Sequence, residues 1–309
     1  MLSSAFALGG TAAWLAFAQG FWMLLWGQVG LVVSRAIFWP ATWAMASELP
    51  GARGVQLGRL NAVTNLGQIG GTISCGALLA TWGFPAAFAV LFAVSAAAFI
   101  AALGTKPHTR RDRARTTHLL AAYLPLLRKR VIRYSILCAY LSAVPFALSL
   151  SFYPLLLVHY GYGNDASGMF LSLRSVGAFA VALVAAHFVR SGPRTLWPVF
   201  CAIVIAAAIG CLPLTPNSAA IAFWMLLVGI GSGAMTLFFQ MTISEVSTTD
   251  ERSSALALGG TGWNLSLLTI PLVMGCLADH YGIVTSFYVI GALTLAGAGA
   301  IAALRRWAL

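Results

Sequence analysis

The chain has 309 residues, of which 60% are hydrophobic and only 8% charged, with a net charge of +11 at pH 7. A soluble domain carries about 25% charged residues, so this composition excludes a water-covered globule and points to an integral membrane protein. The positive charge lies in short segments between apolar runs, which leaves no soluble basic face for nucleic acid.

Apolar runs of about 20 residues, the length that crosses a hydrocarbon core of about 30 Å, recur along the whole chain. They cover 3–24, 28–47, 56–80 and 85–103, then 134–157, 167–189, 195–213, 218–241, 254–278 and 284–304. In lipid each run must satisfy its own backbone groups, so the runs are read as helices and the fold as an all-α bundle of about ten spans, four plus six. The start, MLSSAFALGGTAAWLAF, has no basic leading segment and stays apolar to about Trp26. A retained first helix is expected there, not a cleaved signal.

Between the fourth and fifth runs lies a basic segment holding nine of the eighteen Lys and Arg residues: Lys106, Arg110, Arg111, Arg113, Arg115, Arg128, Lys129, Arg130 and Arg133. It divides the chain into a partial N-terminal bundle (1–104), a connector (105–133) and a C-terminal six-helix bundle (134–309). Inside the connector, Leu119 to Leu127 beside three cations reads as an interfacial segment held by anionic lipid. The remaining loop cations are Arg53, Arg59, Arg190, Arg194, Arg252, Arg305 and Arg306, while the loops near Gly27, Trp82, Gly161, Pro216 and His280 have none. All sixteen loop cations therefore fall on one side, which the positive-inside rule makes cytoplasmic. Both termini are expected on that side.

A longer repeat underlies the runs. Shifted by 199 residues, RGVQLGRLNAVTNLGQIGGTISCGALLATWGFPAAF lies over RSSALALGGTGWNLSLLTIPLVMGCLADHYGIVTSF. Arg53 then meets Arg252, Asn65 meets Asn264, Gly83 meets Gly282 and Phe88 meets Phe287. Leu and Gly matches are cheap in membrane helices, but an Arg, an in-helix Asn and a Phe in one register are not. Both copies start on the same side, so the halves are parallel repeats about an axis along the membrane normal.

With a basic central loop and a six-helix second half, this layout resembles the major facilitator superfamily. The stretch SRAIFWPATWAMASELPGARGVQLGRLNAVTNLGQIGG is similar to that family's fourth and fifth helices, and GCLADHYG (275–282) spells its G-x-L-A-D-x-x-G pattern. That pattern falls on the outer side here. The loop in the corresponding cytoplasmic place, AAHFVRSGPR, keeps Arg190, Gly192 and Arg194 but has Val189 where the family pattern has Asp. The family usually has twelve helices, and the resemblance begins at the third. It implies a secondary transporter in a membrane, such as a bacterial inner membrane, moving a small organic solute by alternating access. Efflux of a drug-like or metabolite compound and movement of an organic anion both fit, and whether protons drive it stays open. The alternative is a shortened relative that does not transport and serves as a structural or regulatory membrane protein.

Two cations lie inside apolar runs, Arg35 and Arg174, each costing about 2.5–3.5 kcal/mol near a bilayer centre unless it faces protein or a water-filled cavity. They are candidate ligands for an anionic group, since the Arg fork fits carboxylate or phosphate. The competing reading is that each bonds carbonyls or a carboxylate of a neighbouring helix. Asn61, Asn65, Gln68 and Thr72 form one polar stripe at i, i+4, i+7, i+11, and Trp263 and Asn264 share its depth in the second half. Cavity lining and interhelical bonding are both open for them. Trp39, Tyr140, Phe239 and Gln240 add a possible aromatic and amide wall, against simple packing.

Glu48 with Arg53, and Glu245 with Arg252, read as symmetric cytoplasmic gate latches. His187 reads as packing, and the five cysteines as small buried hydrophobes. Gly67 with Gly71, and Gly229 with Gly233, have the spacing that lets helix backbones approach. No metal, cofactor or nucleophile spacing is present, so neither a cofactor nor an enzymatic activity is expected. The expected partners are a small-molecule substrate, with a negative group favoured by the two arginines, and membrane lipid, with coupling to protons left open.

Overall fold

The computed structural model describes residues 2–49, 53–104, 119–188, 196–248 and 251–308. Their order is α1 (Leu2–Ala16), α2 (Phe21–Glu48), α3 (Arg53–Thr81), α4 (Gly83–Leu103), α5 (Leu119–Arg128), α6 (Arg130–His159), α7 (Asn164–Phe188), α8 (Trp197–Cys211), α9 (Ser218–Val246), α10 (Arg252–Tyr281) and α11 (Ile283–Ala308). The expected runs fold as helices, except that 3–24 is broken at Phe17–Gly20, and α5 lies inside the connector. The connector cations Lys106, Arg110, Arg111, Arg113 and Arg115, and the loop carrying Arg190, Gly192 and Arg194, lie outside the described residues.

Among the described residues, eight helices are long and apolar enough to cross a membrane. The other two of the ten expected differ for separate reasons. α1 has only 15 residues, about 22 Å at 1.5 Å per residue. α3 has 29 residues but carries the polar stripe, which lowers its hydropathy. The first turn also moves. It falls at Phe17–Gly20, with Gly20 at φ 96°, whereas the sequence placed it near Gly27. Phe17 and Ala18 are as apolar as the helix before them, so hydropathy does not mark the break. Gly27 instead lies inside α2, where a Cβ would strike the Leu15 side chain of α1.

The 199-residue repeat is visible in the helix ends. α3 starts at Arg53 and α10 at Arg252. Each is followed by a glycine in the left-handed region, Gly83 at φ 75° and Gly282 at φ 80°, a conformation that costs a side-chain-bearing residue more.

α6 is the central mast, buried along most of its length, while α4 is buried along almost none. Tyr134, Cys138, Leu148 and Tyr153 of α6 meet Met225 and Phe239 of α9 and Phe287 of α11 in one continuous core. Tyr153 stacks on Phe287 with centroids 5.6 Å apart. The exterior carries exposed Phe6, Trp22, Val32, Phe84, Ile100 and Leu268, a surface that suits hydrocarbon and not water. Pro145 and Pro154 sit inside α6, and Ser149 Oγ donates to the Pro145 carbonyl at 2.7 Å. At the end remote from the connector, the hydroxyls of Tyr160 and Tyr162 donate to the carbonyls of Pro213 and Pro216, both at 3.0 Å. These bonds strap the α6–α7 turn to the α8–α9 turn.

For the site, the decisive packing is that of α7. It runs between α3 on one side and α9 on the other, and α2 reaches α10. The α3–α7 seam is thus where a helix before the connector meets one after it.

Candidate functional site

Arg174 lies in the middle of α7 and is 7% exposed. Three glycines bring the neighbouring backbones to it. Gly177 and Gly229 lie where α7 and α9 touch, and a Cβ on Gly229 would run into the Arg174 carbonyl. Across the other face, a Cβ on Gly168 would stand 2.8 Å from the Thr72 carbonyl of α3. The close approach of α3 puts Gln68 beside Arg174, and Arg174 Nη2 donates to Gln68 Oε1 at 2.8 Å. Ser175 Oγ donates to the same oxygen at 3.2 Å and lies 3.4 Å from Nη2. The Phe146 ring of α6 covers one face of the guanidinium, 5.4 Å from Cζ. Trp263 of α10 packs on Phe146 in turn, at 5.7 Å.

Among the described residues, the groups that bond or cover this cation are neutral: the Gln68 amide, the Ser175 hydroxyl and the Phe146 ring. Among the described residues no carboxylate pairs with Arg174, and its Nε has no hydrogen-bond partner. A buried charge without a counter-charge is strongly unfavourable. Among the described residues, the site thus offers the cation neutral acceptors and an aromatic face.

A second amide clamp crosses between α3 and α9. Asn61 Nδ2 donates to Gln240 Oε1 at 2.7 Å. Gln240 is fully buried, and among the described residues its Nε2 has no hydrogen-bond partner. Of the α3 stripe, Asn61 and Gln68 reach across to other helices. Asn65 and Thr72 bond back to the carbonyls of Asn61 and Gln68. Tyr140 shares a 2.8 Å hydroxyl–hydroxyl bond with Thr269, tying α6 to α10.

The other sequence candidates lie apart from this cluster. Arg35 is exposed on α2. Trp39 is half-buried and stacks in the series Phe38–Trp39–Trp43, and Trp43 meets Phe239 at 6.4 Å. Asn264 is exposed on α10, although its repeat mate Asn65 is half-buried. The side chains of Glu48, Arg53 and His187 fall outside the described residues; Glu245 is exposed at the end of α9 and Arg252 is buried at the start of α10.

Three participants escaped the sequence reading. Phe146 is one aromatic among many in apolar helices and carries no signal. Ser175 was marked only by adjacency to Arg174. At the connector end, Lys129 Nζ donates to Glu251 Oε2 at 2.9 Å, joining the start of α6 to the start of α10. The hydrogen bond from Lys129 holds the Glu251 carboxyl below its ordinary range. An acid at a helix start, on the side of the bundle where the sequence places the basic connector, was the available clue.

No curated protein matches the chain, but the sequence profile of the Major Facilitator Superfamily matches residues 1–249. That match spans α1 to α9, both sides of the connector and both faces of the Arg174 seam. An all-helical chain with a repeat across a basic connector, matched over most of its length, is thus an integral membrane protein belonging to the Major Facilitator Superfamily, a family of membrane transporters.

Proposed function

We propose that this transporter moves a small organic solute carrying a negative group by alternating access, with Arg174 as the residue that binds that group. One observation carries the reading: Arg174 is buried at the α3–α7 seam, where among the described residues its partners are neutral and its Nε has no hydrogen-bond partner. Arg forks onto carboxylate or phosphate, and the missing counter-charge is what such a substrate would bring. In this reading residues 1–104 and 134–309 are the two moving bundles, and 105–133 is their cytoplasmic connector, with both termini on that side. Asn65, Gln68, Tyr140, Gln240 and Trp39 line or brace the path. Arg35 and Asn264 are candidates for the face that the solute or a coupling proton meets, and Glu48, Arg53, Glu245 and Arg252 close the inner end.

The test is uptake of a panel of small carboxylates by the purified chain in proteoliposomes under an imposed pH gradient. Arg174→Gln is expected to abolish uptake while the protein stays folded. Arg174→Lys should lower uptake at least about tenfold, because a point charge cannot reproduce the fork. Equal rates in the Lys variant would remove the bidentate contact, and uptake unaffected by Arg174→Gln would remove Arg174 from the site. Arg35→Ala in the same assay decides whether the exposed cation takes part. Absence of transport in the wild-type chain would favour the non-transporting reading.

A further inference from the structure

The reading above assigns Arg174 to an anion but leaves Gln68 unexplained. A guanidinium presents a side-on fork made of Nε and Nη2, each with one N–H pointing the same way. Here one tooth, Nη2, is taken by Gln68 Oε1 at 2.8 Å, and the other, Nε, is bare. Both groups lie in a region from which water is largely excluded, since Arg174 is 7% exposed and its neighbour Ser175 fully buried. An amide offers one acceptor atom, which here takes bonds from both Nη2 and Ser175 Oγ, and it carries no charge, so it fills half of the fork and leaves the positive charge without a counter-charge. A carboxylate has two oxygens at the spacing of the fork and supplies the charge.

We propose that Gln68 is an internal stand-in for the substrate's carboxylate, occupying half of the Arg174 fork in the empty transporter and displaced when the substrate binds. The inference rests on the anion reading of Arg174 and adds a specificity-determining role for Gln68. It also names the ligand class, a monocarboxylate with a flat apolar body. Phe146 already covers one face of the guanidinium and Trp263 extends that aromatic wall, so a planar body beside the carboxylate meets rings. Displacement has a structural consequence. Gln68 belongs to α3 and Arg174 to α7, so the incoming carboxylate breaks the side-chain bond between those helices at this depth. Asn61–Gln240 still ties α3 to α9 at the neighbouring level. Substrate binding and loosening of the α3–α7 seam become one event. Until displaced, Gln68 lowers the apparent affinity by the fraction of time that it holds the fork.

The experiment is titration calorimetry of the purified 309-residue chain with benzoate, and with benzamide as the neutral counterpart that offers one oxygen as Gln68 does. Wild type should bind benzoate and bind benzamide far more weakly. Gln68→Leu removes the competitor and should bind benzoate about tenfold more tightly, equivalent to about 1.4 kcal/mol. Gln68→Glu installs a permanent carboxylate in the fork and should bind no benzoate. Because that variant adds a counter-charge to a buried cation, it is expected to fold at least as well as wild type, and it keeps the test decisive if the Leu variant misfolds. Should Gln68→Leu bind more weakly than wild type while Arg174→Gln binds nothing, Gln68 assists the anion and the stand-in role is overturned, with the anion reading intact. Benzoate binding unchanged in Arg174→Gln, or absent from both wild type and Gln68→Leu, overturns both.

Discussion

A cation inside an apolar bundle must be answered, and here the answers come from amides and rings. The sequence marked Arg174 as costly and the stripe Asn61–Thr72 as inward-facing, from depth and from spacing alone. It could not say which stripe residue meets which neighbour, because helical periodicity gives a face and not a partner. That information comes from the packing of α7 between α3 and α9, which pairs Gln68 with Arg174 and Asn61 with Gln240. The second pair can be tested by itself. Asn61→Ala leaves the Gln240 carbonyl buried and unpaired, at about 1–3 kcal/mol in a dry core and nearer 1 kcal/mol within a membrane. Apparent melting of the purified protein should fall accordingly. Replacing both partners by Leu, which removes both polar groups, should recover most of that loss. A double variant as unstable as the sum of the singles would show that the two amides do not depend on one another.

At the scale of helices, the glycine pairs teach the same lesson. Gly67–Gly71 and Gly229–Gly233 have identical spacing, yet a Cβ at either of the first two would meet nothing within 4 Å. At Gly229 it would collide with the Arg174 carbonyl, and at Gly233 it would stand 2.8 Å from Ala178 Cα. The motif permits close approach; only the packing decides whether a helix is there. Helix existence was legible throughout, because runs of about 20 apolar residues have few alternatives in lipid. The α1–α2 turn was not, since Phe17 and Ala18 are apolar and only Gln19 and Gly20 interrupt the run. Gly229→Leu should therefore push α9 off α7 and shift Arg174. We expect destabilisation of about 1–3 kcal/mol from overpacking, together with loss of transport, whereas Gly67→Leu should leave both unchanged. Equal effects at the two sites in melting and uptake would mean that the α7–α9 contact is looser than the structure has it.

For the molecule as a whole, the connector is the element that the sequence located by charge and could not attach. Its attachment is through Lys129 and Glu251, which pin α5 and α6 to the first residue before α10. α5 reinforces this with Leu126, which is 1% exposed, while Leu124 on the same helix stays 57% exposed. One side of α5 thus grips the bundle and the other is free to meet lipid headgroups. The ion pair is partly open to solvent, so it contributes at most about 1 kcal/mol and is screened by salt. Its sign follows from the lowered Glu251 carboxyl. The stabilisation is fully present above the ordinary carboxylate pKa and is lost as pH falls through the depressed value in the folded protein. Neutral and acidic conditions should therefore differ. Glu251→Gln should melt slightly below wild type at neutral pH and low salt, and the two should converge as pH drops through the acid range or as salt rises. A gap that persists at acid pH would assign the difference to the helix start of α10, where Glu251 also faces unpaired backbone N–H groups, and would free the connector from the bundle.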